Sequence, residues 1–368
     1  MSRIFKITIC LLVLSIIPVN VCFSQSDNKA LFEKKYIQST MLKVAEWQLN
    51  HPKEDPRRWT NGVLYTGIVA AYETTKSKKI YQSMLDMCDS VRWKPNDRWY
   101  HADDVAISQM YIDIYRKEKK QYMIQATIDT VKKFISTPYP TEGTIKWWWC
   151  DALYMAPPTM VKLGMTTKND EFLKKSDEYY KECYDLLYNQ EEHLFARDLS
   201  YVIKNDGQDR WEANGKKIFW SRGNAWVIGG LARVLQELPK NYPQRPFYEN
   251  LFKELAARIV SLQPSDGLWR ASLLDPDSYP GGEVSGSGLF CYALAWGINN
   301  KLLDKATYLP AVTKTWIGLT RCVNDEGRVG WVQPVGAEPR SNFGEDSWAA
   351  YGTGAFLLAA SEVIKLKL

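Results

Sequence analysis

Apolar residues recur at three- and four-residue spacing along nearly the whole chain after residue 26. Leu64, Gly67, Ile68, Ala71 and Tyr72 form one such stripe, and Ile107, Met110, Tyr111, Ile114 and Tyr115 form another. The pattern continues through Ile124–Phe134, Phe172–Leu187, Ile228–Leu238, Phe290–Gly297 and Phe356–Ile364. This is the period of a helix that buries one face. Strand-like alternation is scarce. Short strands are expected near 194–201 and 217–219, as a hairpin inside a long loop. The stripes predict twelve helices, over 28–50, 61–75, 78–92, 103–118, 121–136, 150–164, 169–188, 223–237, 246–263, 285–299, 306–323 and 347–366. Several consecutive pairs are joined by short loops, which makes them antiparallel neighbours. Six such hairpins predict an all-α fold, an (α/α)6 barrel in which inner and outer helices alternate. No linker-like stretch divides the chain, so residues 25–368 are expected to form a single domain.

The longer loops, 95–103, 138–151, 190–223, 264–286 and 325–348, precede the even-numbered helices. With antiparallel neighbours, all those helix starts lie at one end. One rim of the barrel is therefore expected to carry the unusual residues.

Tyr100-His101-Ala102-Asp103-Asp104 opens the fourth helix. An Asp at a helix start caps free N–H groups and suits the positive end of the dipole. That accounts for one of the two carboxylates and leaves the other as a candidate. Trp147-Trp148-Trp149-Cys150-Asp151 opens the sixth. Apolar walls around a carboxyl group raise its pKa, so it can hold a proton near neutrality and act as a general acid. An N-cap is the competing explanation for Asp151. Pro157 and Pro158 within the same helix predict an irregular start or a kink.

Trp220-Ser221-Arg222-Gly223-Asn224-Ala225-Trp226 opens the eighth helix. It combines flat surfaces, hydrogen-bonding groups and a guanidinium fork that matches a carboxylate in bidentate geometry. A surface Arg among core tryptophans is the plainer alternative. Gly282-Glu283-Val284-Ser285-Gly286-Ser287-Gly288 and Tyr351-Gly352-Thr353-Gly354 open the tenth and twelfth. Small residues there permit either an anion at a helix N-terminus or close helix packing. No strand precedes the GxG, so it is not a dinucleotide fingerprint. His193 reads as a loop residue, with no nucleophile signature to complete a triad.

Composition narrows the ligand. Fifteen Trp and 21 Tyr among 368 residues suit something flat, such as a sugar ring, although large aromatics also fill cores. The net charge is +5, with Lys and Arg scattered rather than striped, which argues against nucleic acid. Arg3 and Lys6 precede an apolar run, Ile7 to Ile17, and small residues at Cys22 and Ser24 permit cleavage after Ser24. Residues 1–24 are therefore expected to be a signal peptide that exports the chain to the periplasm. Val21 is bulkier than a lipoprotein anchor at Cys22 would want. Of seven cysteines, Cys88, Cys150, Cys183, Cys291 and Cys322 remain after cleavage, an odd number with no CxxC pair. That is not a disulfide framework. His51, His101 and His193 lack ligand spacing, so no structural zinc is expected.

Taken in order, the stretches HADDVAISQMY, WWWCDALYMAPP, IFWSRGNAWVIGGLARVL, DGLWRASLLDPDSYPGGEVSGSGLF and YGTGAFLLAASEV resemble the unsaturated glucuronyl and rhamnogalacturonyl hydrolases. These are glycoside hydrolase families 88 and 105, the likeness being nearer to 105 and spanning roughly residues 30 to 366. The resemblance implies an (α/α)6 barrel, no metal or organic cofactor, and no membrane contact beyond export. It implies hydration of the C4–C5 double bond of a terminal unsaturated uronic acid on an oligosaccharide. The family's acid/base carboxylate falls on Asp151, and its second aspartate on Asp103 or Asp104. Arg222, Trp220 and Trp226 match the pocket motif, with Arg222 expected to grip the sugar carboxylate and the tryptophans to stack the ring. Trp148, Trp149 and Asn224 lie in the same motifs, and Ser285 and Ser287 are expected to join the anion site. Many relatives carry a pocket histidine after the seventh helix, and Arg197 stands at that place here. Two rivals are another (α/α)6 glycosidase or lyase, and a non-catalytic periplasmic glycan-binding protein. The latter would keep the tryptophans without needing Asp151.

Overall fold

The computed structural model describes residues 25–139 and 144–367. The expected signal peptide, residues 1–24, lies outside the described residues. A short α1 (Gln25–Ala30) precedes six helical hairpins. In the first, α2 (Lys34–Asn50) leads into α3 (Trp59–Thr75). In the second, α4 (Lys78–Ser90) leads through a 3-10 turn (Ala102–Val105) into α5 (Ser108–Glu118). In the third, α6 (Tyr122–Ser136) leads into α7 (Ala152–Met155) and α8 (Pro157–Thr167). The last three pair α9 (Asp170–Leu187) with α10 (Ser221–Glu237), α11 (Arg245–Ser261) with α12 (Val284–Asn299), and α13 (Lys305–Arg321) with α14 (Ala350–Val363). The second helix of each pair packs on the next: α3 on α5, α5 on α8, α8 on α10, α10 on α12, α12 on α14, and α14 back on α3. That closed ring, with the first helix of each pair outside it, is the expected (α/α)6 barrel.

Inner and outer helices differ in what they bury. The outer α4 buries only Ile80, Met84 and Cys88, one face of an amphipathic helix. The inner α12 is buried continuously from Val284 to Ile298, and α14 from Ala350 to Val363. Helices enclosed on all sides must approach closely. A Cβ added to Gly354 would lie 2.5 Å from the Val63 carbonyl oxygen, and one on Gly230 would lie 2.2 Å from that of Leu153. The small residues of the Tyr351-Gly352-Thr353-Gly354 stretch thus serve packing.

Two local expectations change. The sixth predicted helix breaks into α7 and α8 at Pro157, whose ring cannot continue the hydrogen-bond ladder. The only two-stranded sheet among the described residues joins β1 (Tyr188–Asn189) to β2 (Leu194–Phe195), turning through His193 at φ 51°. The expected pairing of 194–201 with 217–219 does not form. Asp198 caps a 3-10 turn at Leu199–Tyr201, which takes that backbone out of extension, and Lys217 bridges to Trp211 instead. The five cysteines are free thiols.

Candidate active site

The loops before α5, α7 and α10 converge at one rim, and hydrogen bonds fix how they meet. The Cys150 N–H donates to the Arg197 carbonyl at 2.9 Å, which seats Arg197 beside the start of α7. The Asn224 side chain, on α10, grips the neighbouring strand: its amide donates to the Phe195 carbonyl at 3.0 Å and accepts from the Phe195 N–H at 2.8 Å. Asn224 therefore acts on Arg197 through the backbone rather than touching the pocket.

Asp103 and Asp104 have separate tasks. Asp104 is 1 % exposed and accepts from the Arg98 N–H at 2.7 Å, Nη2 at 2.6 Å and Nε at 3.1 Å. It staples the loop before α5. No donor among the described residues hydrogen-bonds the Asp103 carboxylate; the His101 Nδ1 stands 3.6 Å away and Arg98 Nη2 4.0 Å away. Burial, reinforced by the nearby charge of Asp151, pushes the Asp103 carboxyl up to about 7. Of the two candidates, Asp103 is the one free to face a ligand.

Asp151 stands at the N-terminus of α7, yet its side chain makes no capping hydrogen bond. Its contacts are the Cys150 thiol at 3.6 Å and Arg197 Nε at 3.4 Å. Burial raises the Asp151 carboxyl, while Arg197 and then Arg222 oppose the rise. Arg197 Nη1 donates to Asp198 at 2.7 Å, and its buried Nε has no hydrogen-bond partner among the described residues. Two carboxylates within electrostatic reach and one incompletely satisfied guanidinium make a set that can hold and move a proton beside an anion.

The aromatic wall is divided. Trp148 is 49 % exposed, with the Arg197 guanidinium 5.8 Å from its ring centre, and is the open stacking face. Trp149 is buried and packs between Trp148 and His101, at 4.8 and 4.6 Å between ring centres. Burial, with help from Arg98, pushes the His101 imidazole down to about 4, so it is neutral at physiological pH.

Several expected ligand contacts turn out to be framework. Arg222 is 1 % exposed; Nη1 donates to the Gln333 carbonyl at 2.5 Å and Nη2 to the Pro334 carbonyl at 2.9 Å. Its fork holds the loop before α14 and is not open to a substrate carboxylate. Trp220 is buried against Arg222, with its N–H on Gln333 at 3.2 Å, and Trp226 is buried among Trp59, Tyr154 and Tyr351. Neither offers a free face. Ser285 and Ser287 are wholly buried, the first donating to Glu283 at 2.6 Å and the second accepting from the Trp269 N–H at 2.9 Å. Glu283 also accepts from the Ser285 and Gly286 N–H groups, so the N-terminus of α12 already holds its own carboxylate. An external anion has no place there.

His193 stays outside the site, half-exposed beside Glu254 of the outer α11. The sequence patterns assigned no site role to His101, Arg98 or Trp59. The first two sit within the aspartate motif and could have been taken with it. Trp59 stacks on Tyr351 at 5.1 Å and carries no signal beyond being a lone Trp at a helix start.

Comparison with known proteins fits this geometry. Residues 32–367 match Glycosyl Hydrolase Family 88. A protein of Formosa agariphila named unsaturated 3S-rhamnoglycuronyl hydrolase is 44% identical over 376 residues, covering 98% of both chains. The solved structure of a glycosyl hydrolase family 88 protein from Bacteroides vulgatus superposes with a TM-score of 0.83 at 31% identity, over 90% of this chain and 99% of the other. A structure described as a polysaccharide lyase also gives 0.83, at 34% identity over 90% of this chain and 97% of the other.

Proposed function

The chain belongs to Glycosyl Hydrolase Family 88, and from that premise we propose that it removes a terminal Δ4,5-unsaturated uronic acid from lyase-generated oligosaccharides. The Formosa relative's name supports a rhamnose residue as the neighbour of that uronate. The observation that carries the reading is the Asp103–Asp151 pair beside Arg197, two mostly enclosed carboxylates, one without a hydrogen-bond donor among the described residues and the other held only by a loose contact with Arg197.

In this mechanism the pair keeps a proton near neutral pH because burial and mutual repulsion disfavour two charges. Arg197 holds the substrate carboxylate with the donor capacity that Asp198 leaves free, and Trp148 stacks against the ring. A bound anion draws Arg197's charge away from Asp151, so the shared proton moves onto Asp151. Asp151 protonates C4, and the resulting carboxylate then takes a proton from the water that attacks C5. The hemiketal at C5 opens to a ketone. C1 is left as a hemiacetal, which collapses to an aldehyde and frees the neighbouring sugar with its hydroxyl restored. One water is consumed. No carboxylate attacks the anomeric carbon, which separates this route from the two-carboxylate displacement of ordinary glycosidases.

Mass spectrometry of the products tests this. The expected products are a shortened saturated oligosaccharide and a keto-uronic acid whose masses sum to substrate plus one water. An intact substrate, bound but unconverted, would contradict the proposal and favour a glycan-binding protein. Export to the periplasm is likewise proposed, supported by the basic and apolar pattern of residues 1–24.

A further inference from the structure

A second cavity lies away from this rim. A space of about 790 Å³ lies at the opposite end of the barrel, and all six inner helices contribute to it through their C-terminal turns or nearby residues. Its lining mixes both signs of charge. The carboxylates are each matched: Asp113 with Lys162 at 2.5 Å, Glu237 with Arg116 at 2.8 Å, Glu362 with Lys365 at 2.6 Å, and Glu73 with Lys117 at 2.6 Å. Arg233, on α10, is not matched. It is 8 % exposed and no carboxylate among the described residues lies within ion-pair distance. Its Nε donates to Gln109 Oε1 at 2.6 Å, and Gln109 in turn donates to the Tyr154 carbonyl at 3.2 Å, which locks the guanidinium in place. Among the described residues Nε is the only Arg233 nitrogen with a side-chain hydrogen bond, and the residue lines the cavity. The Tyr292 hydroxyl, which accepts from Gln236 at 2.9 Å, lines the same space with its own proton free to donate.

A guanidinium pinned at Nε by Gln109 and opening its other donors onto a cavity is pre-organised to receive an acceptor. Its planar fork suits the two oxygens of a carboxylate or oxyanion, and the cavity exceeds the space one sugar acid needs. We propose that this far-end cavity binds a small anion, an inorganic oxyanion or a sugar acid, with Arg233 as the anchoring residue and Tyr292 as a second donor. The site is separate from the Asp103–Asp151 pocket and does not depend on the proposed reaction.

Calorimetric titration of the full chain with inorganic phosphate and, separately, with glucuronate tests the site. The expected result is saturable one-site binding of at least one anion, kept in Arg197→Ala, which alters only the catalytic rim. Arg233→Met should abolish that binding. Arg233→Lys keeps the charge but loses the fork, and should weaken it about tenfold or more; it serves if the Met variant does not fold. Tighter phosphate binding would identify a free oxyanion, and tighter glucuronate binding a sugar acid. Absence of saturation with both anions, or binding that Arg197→Ala removes and Arg233→Lys leaves unchanged, would overturn the proposal.

Discussion

The same six inner helices end in opposite chemistry at the two rims. At the open rim Asp103 and Asp151 are mostly enclosed without a close, well-aligned cation, and both carboxyls are shifted upward. At the far rim each lining carboxylate has a Lys or Arg partner, and the buried charge without an ion pair among the described residues is a cation, Arg233. Helix dipoles favour this polarity, with negative charge at N-terminal ends and positive charge at C-terminal ends. The dipole does not explain the missing partners. A buried charge that has found its counter-ion is doing structural duty, whereas one left incomplete marks a place where a ligand or a proton is exchanged.

The largest effect should come from Asp151→Asn. Turnover should fall by about a thousandfold with the fold retained, because the amide is nearly isosteric but carries no transferable proton. Near wild-type activity would remove Asp151 from the mechanism.

Asp103→Asn should cost about a hundredfold and change the pH profile. Asp103 is protonated below about 7, so kcat/KM in the wild type should fall as pH rises through that value, and the variant should lack this limb. Linkage gives a second readout. Between the ordinary aspartate value of 3.8 and about 7 the folded protein binds a proton that the unfolded chain has released, so wild-type stability declines as pH rises through that window. Asp103→Asn should flatten the decline and melt higher than wild type at mildly alkaline pH. A steeper decline would reverse the assignment.

Asp104→Ala, one residue along, should act on stability instead. Removing this buried half of the Arg98 pair should cost about 2 kcal/mol, less than a fully buried pair because Arg98 is about half exposed. Thermal melts compared with kcat at a temperature where both proteins are folded would separate the two roles.

At the far rim Glu237→Gln should cost about 1 kcal/mol or slightly more and leave kcat unchanged, since it weakens the Arg116 and Lys162 pairs without approaching the pocket. A large loss of turnover would mean the two rims are coupled.

The sequence made the barrel legible because each helix carries its own periodic stripe, and the long loops before alternate helices fixed which rim would hold the chemistry. Asp151 could be singled out because three tryptophans announce its burial. What could not be read was direction. Asp103 and Asp104 differ by one position in a 3-10 turn, and which of them reaches Arg98 depends on that turn's geometry. The role of Arg222 was hidden because the carbonyls it holds, at Gln333 and Pro334, lie more than a hundred residues away. Ser285 and Ser287 sat at a helix start fit for an anion, but Glu283 two residues earlier already filled it. Motif composition gathered the candidates at one rim, and only the three-dimensional hydrogen bonds separated the groups open to the pocket from those that hold its walls.

The most direct test follows the ultraviolet band of the conjugated uronate double bond while the protein is mixed with unsaturated oligosaccharides, rhamnose-linked ones first. Hydration at C4–C5 destroys the conjugation, so the band should decay with wild type and persist with Asp151→Asn. A band that grows would show elimination, the chemistry of a lyase, and a flat trace with folded wild-type protein across the whole panel would contradict the hydration mechanism.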